Sequence, residues 1–172
     1  YHRKALQWWN GRLHPLHPST EDARIRITQK EEEKEKMKLF HLSDLHIGKL
    51  LCGYSLRENQ ERVLSRIVTS APEEHPDAIL ICGDIYDKSV PSGEAYVMFD
   101  RFLEALSEIR PRIPVFIIAG NHDSPERLSY ASAFLEKHSI YLSVFPPVRA
   151  DEYLKKITLE DEYGPVDFYL LP

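Results

Sequence analysis

Three short polar clusters contain the residue types from which metal sites are built. They occupy residues 43–46, 83–87 and 120–123, and each directly follows an apolar run. Together they offer carboxylates, imidazoles and an amide, which suit divalent ions such as Mn²⁺, Mg²⁺, Fe²⁺ or Zn²⁺. The pattern therefore predicts a metal site with mixed nitrogen and oxygen ligands.

Two metal ions can be assigned to these clusters. Asp44 and His46 are two positions apart on a segment that leaves a strand, so both side chains can reach one ion. Asp84 has two carboxylate oxygens and can bridge that ion to a second one, to which Asn121 can give its carbonyl oxygen. Two ions ~3.5–4 Å apart can convert a bridging water to hydroxide and hold the attacking and leaving oxygens of a displacement at phosphorus. The expected chemistry is hydrolysis of a phosphate ester.

His122 and Asp87 are predicted to be the catalytic residues that accompany the metals. His122 follows the predicted ligand Asn121 yet stays free of metal, so it can donate a proton or a hydrogen bond to the phosphate or the leaving group. Asp87 lies three residues after Asp84. It could hold His122 in the useful tautomer, as carboxylates commonly do for imidazoles.

The three clusters must be positioned by the strands of one sheet. Segments at 38–42, 78–82 and 115–119 have the apolar character of buried strands, and the last two are continuous apolar runs of the kind expected for strands that are covered on both faces. Amphipathic patterns between them predict a helix over about residues 57–71 and another that begins near Ser92. This alternation is typical of a layered α/β domain, in which ligands gather at the carboxyl ends of the strands. The clusters are therefore expected to converge.

The predicted helices carry apolar stripes that are expected to pack on the sheet. The stripe of the first helix comprises Val63, Leu64, Ile67 and Val68, and that of the second comprises Ala95, Phe99, Phe102, Leu103 and Leu106. Ser124 predicts the start of a third helix, with Pro125 at its first position and Leu128, Ala131 and Leu135 facing inward. A further strand is predicted at 166–171.

The composition predicts one domain without a membrane segment. The chain has 172 residues, 42% of them hydrophobic, and a formal net charge of -5. It has no apolar run near the ~20 residues that a membrane helix needs. Cys52 and Cys82 lie outside any disulfide or C-x-x-C pattern, which predicts reduced thiols and a cytoplasmic chain. Residues 1–36 show no strand or helix period and are predicted to be disordered or a non-native extension, with Met37 as the native start.

The order Asp-x-His, Gly-Asp-x-x-Asp and Gly-Asn-His-Asp resembles the signature of the calcineurin-like metallophosphoesterase family. Within that family, the stretches 43–49, 83–88 and 120–128 are most similar to the SbcD-type DNA-repair nucleases, and the likeness runs from Met37 to about Pro172. The resemblance implies an α/β (α+β) fold, the four-layer αββα metallophosphoesterase sandwich. Residues 37–172 would form only its N-terminal portion.

The resemblance also implies residue roles, cofactors and partners. The family's metal ligands are matched by Asp44, His46, Asp84 and Asn121, its catalytic histidine by His122, and the residue that supports this histidine in many relatives by Asp87. Two divalent ions are implied, with Mn²⁺ expected. The implied activities are a 3′–5′ exonuclease on double-stranded DNA ends and an endonuclease at hairpins or single strands, together with an SbcC-like ATPase partner.

The match with the family is incomplete after His122. Family members supply further histidine ligands, typically from a Gly-His-x-His element, whereas only His138 follows here. The chain is therefore expected to be truncated at Pro172, within its domain. We also expect it to bind the second metal poorly and to show little activity by itself.

Two other functions fit the same residues. A phosphatase or phosphodiesterase of the same fold would share the metal core. Residues 37–172 carry 14 Lys and Arg against 21 Asp and Glu, a difference of -7, and no basic stripe for DNA is visible. A catalytically silent interaction module would keep the ligands by descent and act as a binding surface. Metal titration combined with assays on DNA and phosphate esters would distinguish these functions.

Overall fold

A computed structural model of the chain describes residues 7–9, 12–14 and 36–172. The chain divides into two compact units, Tyr1–Glu35 and Lys36–Pro172. In the first unit, β1 (Gln7–Trp9) pairs antiparallel with β2 (Arg12–His14), a strand pair that the sequence patterns did not predict. The prediction that residues 1–36 are disordered or non-native falls mostly outside the described residues.

The second unit alternates strands and helices, as predicted. In chain order its elements are β3 (Leu39–Ser43), β4 (Leu50–Leu51), β5 (Tyr54–Ser55), α1 (Arg57–Glu74), β6 (Ala78–Cys82), α2 (Gly93–Glu108), β7 (Val115–Ile118), α3 (Pro125–Leu128), α4 (Ser132–Glu136), β8 (Ile140–Ser143), β9 (Lys155–Asp161) and β10 (Gly164–Leu170). Among the described residues, no helix combines the length and the apolar character needed to cross a membrane.

A four-stranded parallel sheet forms the centre of this unit, in the order β3-β6-β7-β8. Its two faces follow the alternation of side chains along each strand. Ile79, Ile81 and Ile117 are fully buried in the larger core, which also contains the inner faces of α1 and α2. Each such side chain contributes about 1.5–3 kcal/mol relative to an exposed one. The three strands predicted for this sheet are confirmed.

The opposite face of the sheet is covered by the antiparallel pair β9 and β10. Ala78 and Phe116 point to this side and pack with Leu170, and the Phe116 ring lies 4.9 Å from that of Phe168. Helices, parallel sheet and antiparallel pair therefore stack as three layers. This mixed α/β architecture agrees with the predicted metallophosphoesterase sandwich.

The first two helices begin where the sequence predicts. The Ser92 side chain caps α2 by accepting a hydrogen bond from Ala95 N at 3.2 Å, and the five predicted stripe residues of α2 are all buried. On α1, Leu64 is buried, and Ile67 and Val68 pack against the core. The inward prediction for Val63 is wrong, because this side chain lies at the edge of the stripe and is 58% exposed.

The prediction of a single third helix that starts at Ser124 is correct for the first turn and wrong beyond it. Ser124 caps α3 as expected, and Leu128 is buried. Ala131, predicted to face inward, is instead exposed and adopts φ 60°, a left-handed conformation that an α-helix cannot contain. The chain therefore forms the two short helices α3 and α4, with Leu135 half-buried on the second.

Candidate metal centre

The three predicted polar clusters lie side by side at the carboxyl ends of β3, β6 and β7. Main-chain hydrogen bonds join their loops. Asp44 N donates to Gly83 O at 3.2 Å, His46 N to Asp84 O at 2.9 Å, and Gly83 N to Ile118 O at 3.1 Å. These bonds extend the strand pairing past the strand ends, which brings residues far apart in sequence together. The predicted convergence is confirmed.

His46, Asp84 and His122 form a group that could hold a metal ion, which makes His122 a possible ligand although it was predicted to stay free of metal. One possible ligand atom from each lies within 4.8 Å of the others. His46 Nε2 is 3.8 Å from Asp84 Oδ2 and 3.9 Å from Asp44 Oδ1, too far for hydrogen bonds. Donors that bind one ion at about 2.0–2.2 Å are separated by distances of this order, so the spacing leaves room for a cation.

The second nitrogen of His46 faces the carboxylate of Asp87. His46 Nδ1 is buried and, among the described residues, has no hydrogen-bond partner. Asp87 Oδ1 lies 3.5 Å from this nitrogen and 3.8 Å from Lys49 Nζ. A metal-bound histidine usually donates its second N–H to a carboxylate or a carbonyl. Asp87 would become that acceptor after a shift of about half an ångström.

His122 is held by the loop that follows β6. Its Nδ1 lies 2.9 Å from the backbone oxygen of Asp87, and its backbone N–H donates to Asp84 Oδ1 at 3.0 Å. Its ring packs edge-on against His46, with centroids 4.9 Å apart. Asp87 thus contacts His122 through its carbonyl oxygen and not, as predicted, through its carboxylate. The catalytic roles of His122 and Asp87 remain predictions.

The Asp87 carbonyl determines which nitrogen of His122 carries the proton. Because a carbonyl only accepts, Nδ1 is the protonated nitrogen of the neutral ring and Nε2 is the free one. The same contact raises the pKa of His122 above its ordinary value; the charges of Asp84 and Asp87 add to this, and desolvation and Lys49 oppose it. A raised pKa leaves more of the ring protonated near neutral pH, as a proton donor requires.

Asp44 and Asn121 complete the predicted ligand set from exposed positions. The side chain of Asp44 is 67% exposed. Asn121 is exposed on the loop between β7 and α3, directly before His122. The six predicted site residues therefore lie on three adjacent loops at one edge of the sheet. Their functions as ligands and catalysts remain predictions.

Several residues of these loops adopt a left-handed backbone. The φ angle is 54° at Asp44, 43° at His46, 47° at Asp84 and 76° at Gly83. Glycine enters this region without strain, and Asp and His enter it more readily than most residues. Such conformations persist where the surroundings enforce them, and they cluster at functional sites. Here the hydrogen bonds between neighbouring loops enforce them.

Asp123 is a further residue of the site, for which the sequence patterns predict no role. It is only 6% exposed. Its carboxylate accepts three backbone N–H groups, from Ile85 at 3.1 Å, Tyr86 at 2.9 Å and Gly120 at 2.9 Å. It therefore ties the loop after β6 to the loop after β7. The Gly-Asn-His-Asp pattern includes this residue, but only its burial and its contacts reveal what it does.

A family model described as calcineurin-like phosphoesterase matches residues 37–170. The chain belongs to this family. A curated relative, the SbcD component of the nuclease SbcCD from Staphylococcus saprophyticus, is 38% identical over 138 residues, which cover 79% of the chain and 34% of the relative. The chain thus spans about a third of the length of this relative.

A solved structure, phosphopantetheinyl hydrolase (PptH) from Mycobacterium tuberculosis, aligns with 78% of the chain and 42% of its own length. The two share 15% sequence identity, and the TM-score is 0.41.

The donor set of this phosphoesterase chain fits the divalent ions that the family uses. The carboxylates of Asp44, Asp84 and Asp87 lie within 4 Å of the His46 imidazole. Their combined negative charge favours a bound cation. Carboxylate oxygens and imidazole nitrogens are ligands for Mn²⁺, Fe²⁺ and Zn²⁺, so the ligand types leave the metal's identity open.

Replacing Asp123 with asparagine is expected to destabilise this phosphoesterase domain by about 2 kcal/mol. Asparagine keeps one acceptor oxygen. Its NH₂ group, however, would face at least one of the backbone N–H groups that now donate to the Asp123 carboxylate, which places two donors against each other. Chemical denaturation measures the free energy of unfolding. Asp151→Asn is the matched control, since Asp151 is a surface residue paired with Arg149, and it should change stability by less than about 0.5 kcal/mol. Equal stability of the two variants would show that Asp123 does not hold the loops together.

Proposed function

We propose that this chain carries part of the active site of an SbcD-like DNA-repair nuclease. The proposed reaction is two-metal hydrolysis of DNA phosphodiesters, as a 3′–5′ exonuclease on double-stranded ends and an endonuclease at single strands and hairpins. The observation that carries the proposal is the 38% identity to a nuclease component over a segment that includes every predicted site residue. The clustered donors at one sheet edge support it independently of any relative.

Each of the predicted site residues would have a distinct role in this reaction. Asp44, His46, Asp84 and Asn121 would hold the metal ions. When bound, divalent ions lower the pKa of a bound water and neutralise charge on the phosphate. His122 would face the leaving oxygen through Nε2 and give it a proton, because its Nδ1 is engaged by the Asp87 carbonyl. The Asp87 carboxylate would orient His46.

Space and positive charge beside the metal loops are compatible with a phosphate ester. A cleft of about 350 Å³ opens next to Asp87, and its lining includes Gly48, Lys88 and Ser92. Lys49 Nζ lies 3.8 Å from Asp87 Oδ1. These two lysines would attract the phosphates of a bound strand. We further propose an SbcC-like ATPase as the partner and, from the free thiols Cys52 and Cys82, the cytoplasm as the location.

Two assays on the protein that carries this chain test the proposed substrate. With Mn²⁺, a linear DNA duplex labelled at its 5′ end should be shortened progressively from the 3′ end, and EDTA should abolish the reaction. A phosphate monoester such as p-nitrophenyl phosphate should react at least about 100-fold more slowly per active site, a difference of about 2.7 kcal/mol in transition-state stabilisation. The opposite preference would favour a phosphatase.

The silent-module alternative makes a different prediction in the same assays. Such a protein would bind Mn²⁺ and yet turn over neither DNA nor phosphate esters. Addition of an SbcC-like ATPase with ATP provides the last check, because the nuclease should then act on duplex ends. Persistent inactivity with full metal occupancy would reject the nuclease.

A further inference from the structure

The loop that carries Asp44 and His46 has several residues with a left-handed backbone. Asp44 and His46 both adopt left-handed φ angles, and Gly48 follows with φ 90°. On one side, main-chain hydrogen bonds tie this loop to the loop after β6. Its other side meets helix α1 through the side chain of Gln60.

Gln60 of α1 makes three hydrogen bonds to the backbone of this loop. Its Nε2 donates to His46 O at 2.7 Å and to Leu45 O at 3.1 Å, and its Oε1 accepts from Gly48 N at 3.1 Å. A flipped amide would direct its NH₂ group at the Gly48 N–H and its oxygen at two carbonyls. The three contacts therefore fix one orientation of the amide.

We infer that Gln60 is a positioning residue for the His46 ligand, acting through the loop backbone. The inference rests on the proposed metal site. Gln60 is half-buried and donates to the carbonyl oxygens of the two peptide units that flank the His46 Cα, so it restrains the backbone rotation that would swing the imidazole away from Asp84. It connects the loop that carries Asp44 and His46 to helix α1, which Leu64 and Ala71 anchor in the core. Partners one step removed from a metal commonly change its affinity when they are removed.

The test compares Gln60→Met with the wild type in the whole protein. Methionine keeps the length and the apolar packing of the side chain but forms none of the three hydrogen bonds. Calorimetric titration with Mn²⁺ alone should show the dissociation constant of the His46 site raised about tenfold. In the metal-free protein, the amide of Gly48 should exchange its hydrogen about tenfold faster, because its acceptor is lost.

Two variants on the same helix separate positioning from general stability. Asn59→Ala removes a neighbouring amide that accepts from Arg62 at the surface, and it should leave both measurements unchanged. Ile67→Val removes one methyl group from a residue packed on the core. It should lower the Tm by an amount comparable to or larger than that of Gln60→Met, without changing the Mn²⁺ dissociation constant. Gln60→Glu should weaken Mn²⁺ binding at least as much as Gln60→Met, since a carboxylate would face two carbonyl oxygens.

Failure of the positioning role and failure of the metal site itself would give different results. A Gln60→Met protein that binds Mn²⁺ within twofold of the wild type would overturn the positioning role alone. A weakened affinity that Ile67→Val reproduces would also overturn it, because lost stability would then suffice. A wild-type protein that binds no Mn²⁺ would overturn both the site and the inference. Weakened binding confined to the Gln60 variants supports it.

Discussion

Asp84→Asn is expected to lower Mn²⁺-dependent phosphodiester hydrolysis by at least about 1,000-fold, equivalent to about 4 kcal/mol of transition-state stabilisation. Asp84 lies between both histidines of the site, with Oδ2 3.8 Å from His46 Nε2 and Oδ1 accepting the His122 N–H. Asparagine keeps the shape and that hydrogen bond but removes the negative charge that would bridge two cations. The measurement is kcat/KM on a DNA duplex together with the Mn²⁺ stoichiometry.

The fold should survive this substitution. Asn enters the left-handed region as readily as Asp, and loss of one of three neighbouring carboxylates relieves their mutual repulsion. We therefore expect the Tm of Asp84→Asn to equal or exceed that of the wild type. Asp151→Asn controls for the same chemical change at the surface and should retain full activity. Activity of Asp84→Asn within tenfold of the wild type would exclude this carboxylate as a bridging ligand.

Gly120→Ala is expected to remove activity by at least about 1,000-fold and to destabilise the domain by about 3 kcal/mol. A Cβ atom at Gly120 would overlap the backbone nitrogen and Oδ1 of Asp84, and neither atom can move away freely. The nitrogen belongs to the backbone, and the oxygen is held by the His122 N–H. The loops after β6 and β7 would have to separate. Denaturation curves and kcat/KM measure the two effects.

Gly93→Ala is the matched control for this substitution. A Cβ at Gly93 meets no atom within 4 Å, and the residue begins helix α2, where alanine is favoured over glycine by up to about 1 kcal/mol. This variant should be fully active and equally or more stable. If Gly120→Ala behaved like Gly93→Ala, the close approach of the two loops would not be needed for function.

The parts of the fold that the sequence predicted are those governed by local patterns. Residues 78–82 and 115–119 are continuous apolar runs, and only a strand buried on both faces accommodates such runs at that length. Ser92 and Ser124 are strong N-caps, and both helices begin there. The convergence of the three clusters then follows from placing the strands in one sheet. These conclusions need no knowledge of tertiary contacts.

The parts that were missed depend on contacts between distant segments. Ala131 interrupts a helix without any Gly or Pro to signal the break. The Asp87 carboxylate lies near the His46 ring while its carbonyl oxygen contacts His122, an arrangement that sequence spacing does not encode. The contacts of Gln60 could not be predicted either, because nothing in the sequence distinguishes one glutamine on an amphipathic helix from any other.

The left-handed backbone at the predicted ligand positions determines which substitutions could remove a ligand carboxylate without disturbing the fold. Asp44 and Asp84 occupy conformations that Asn accepts equally well, so the fold places no demand on their charge. An amide at either position would leave the loops, the core and any docking surface in place. A protein that keeps this fold but lacks one of the predicted metal-binding carboxylates is thus a single conservative substitution away, whereas a bulkier residue at position 120 would force the two loops apart.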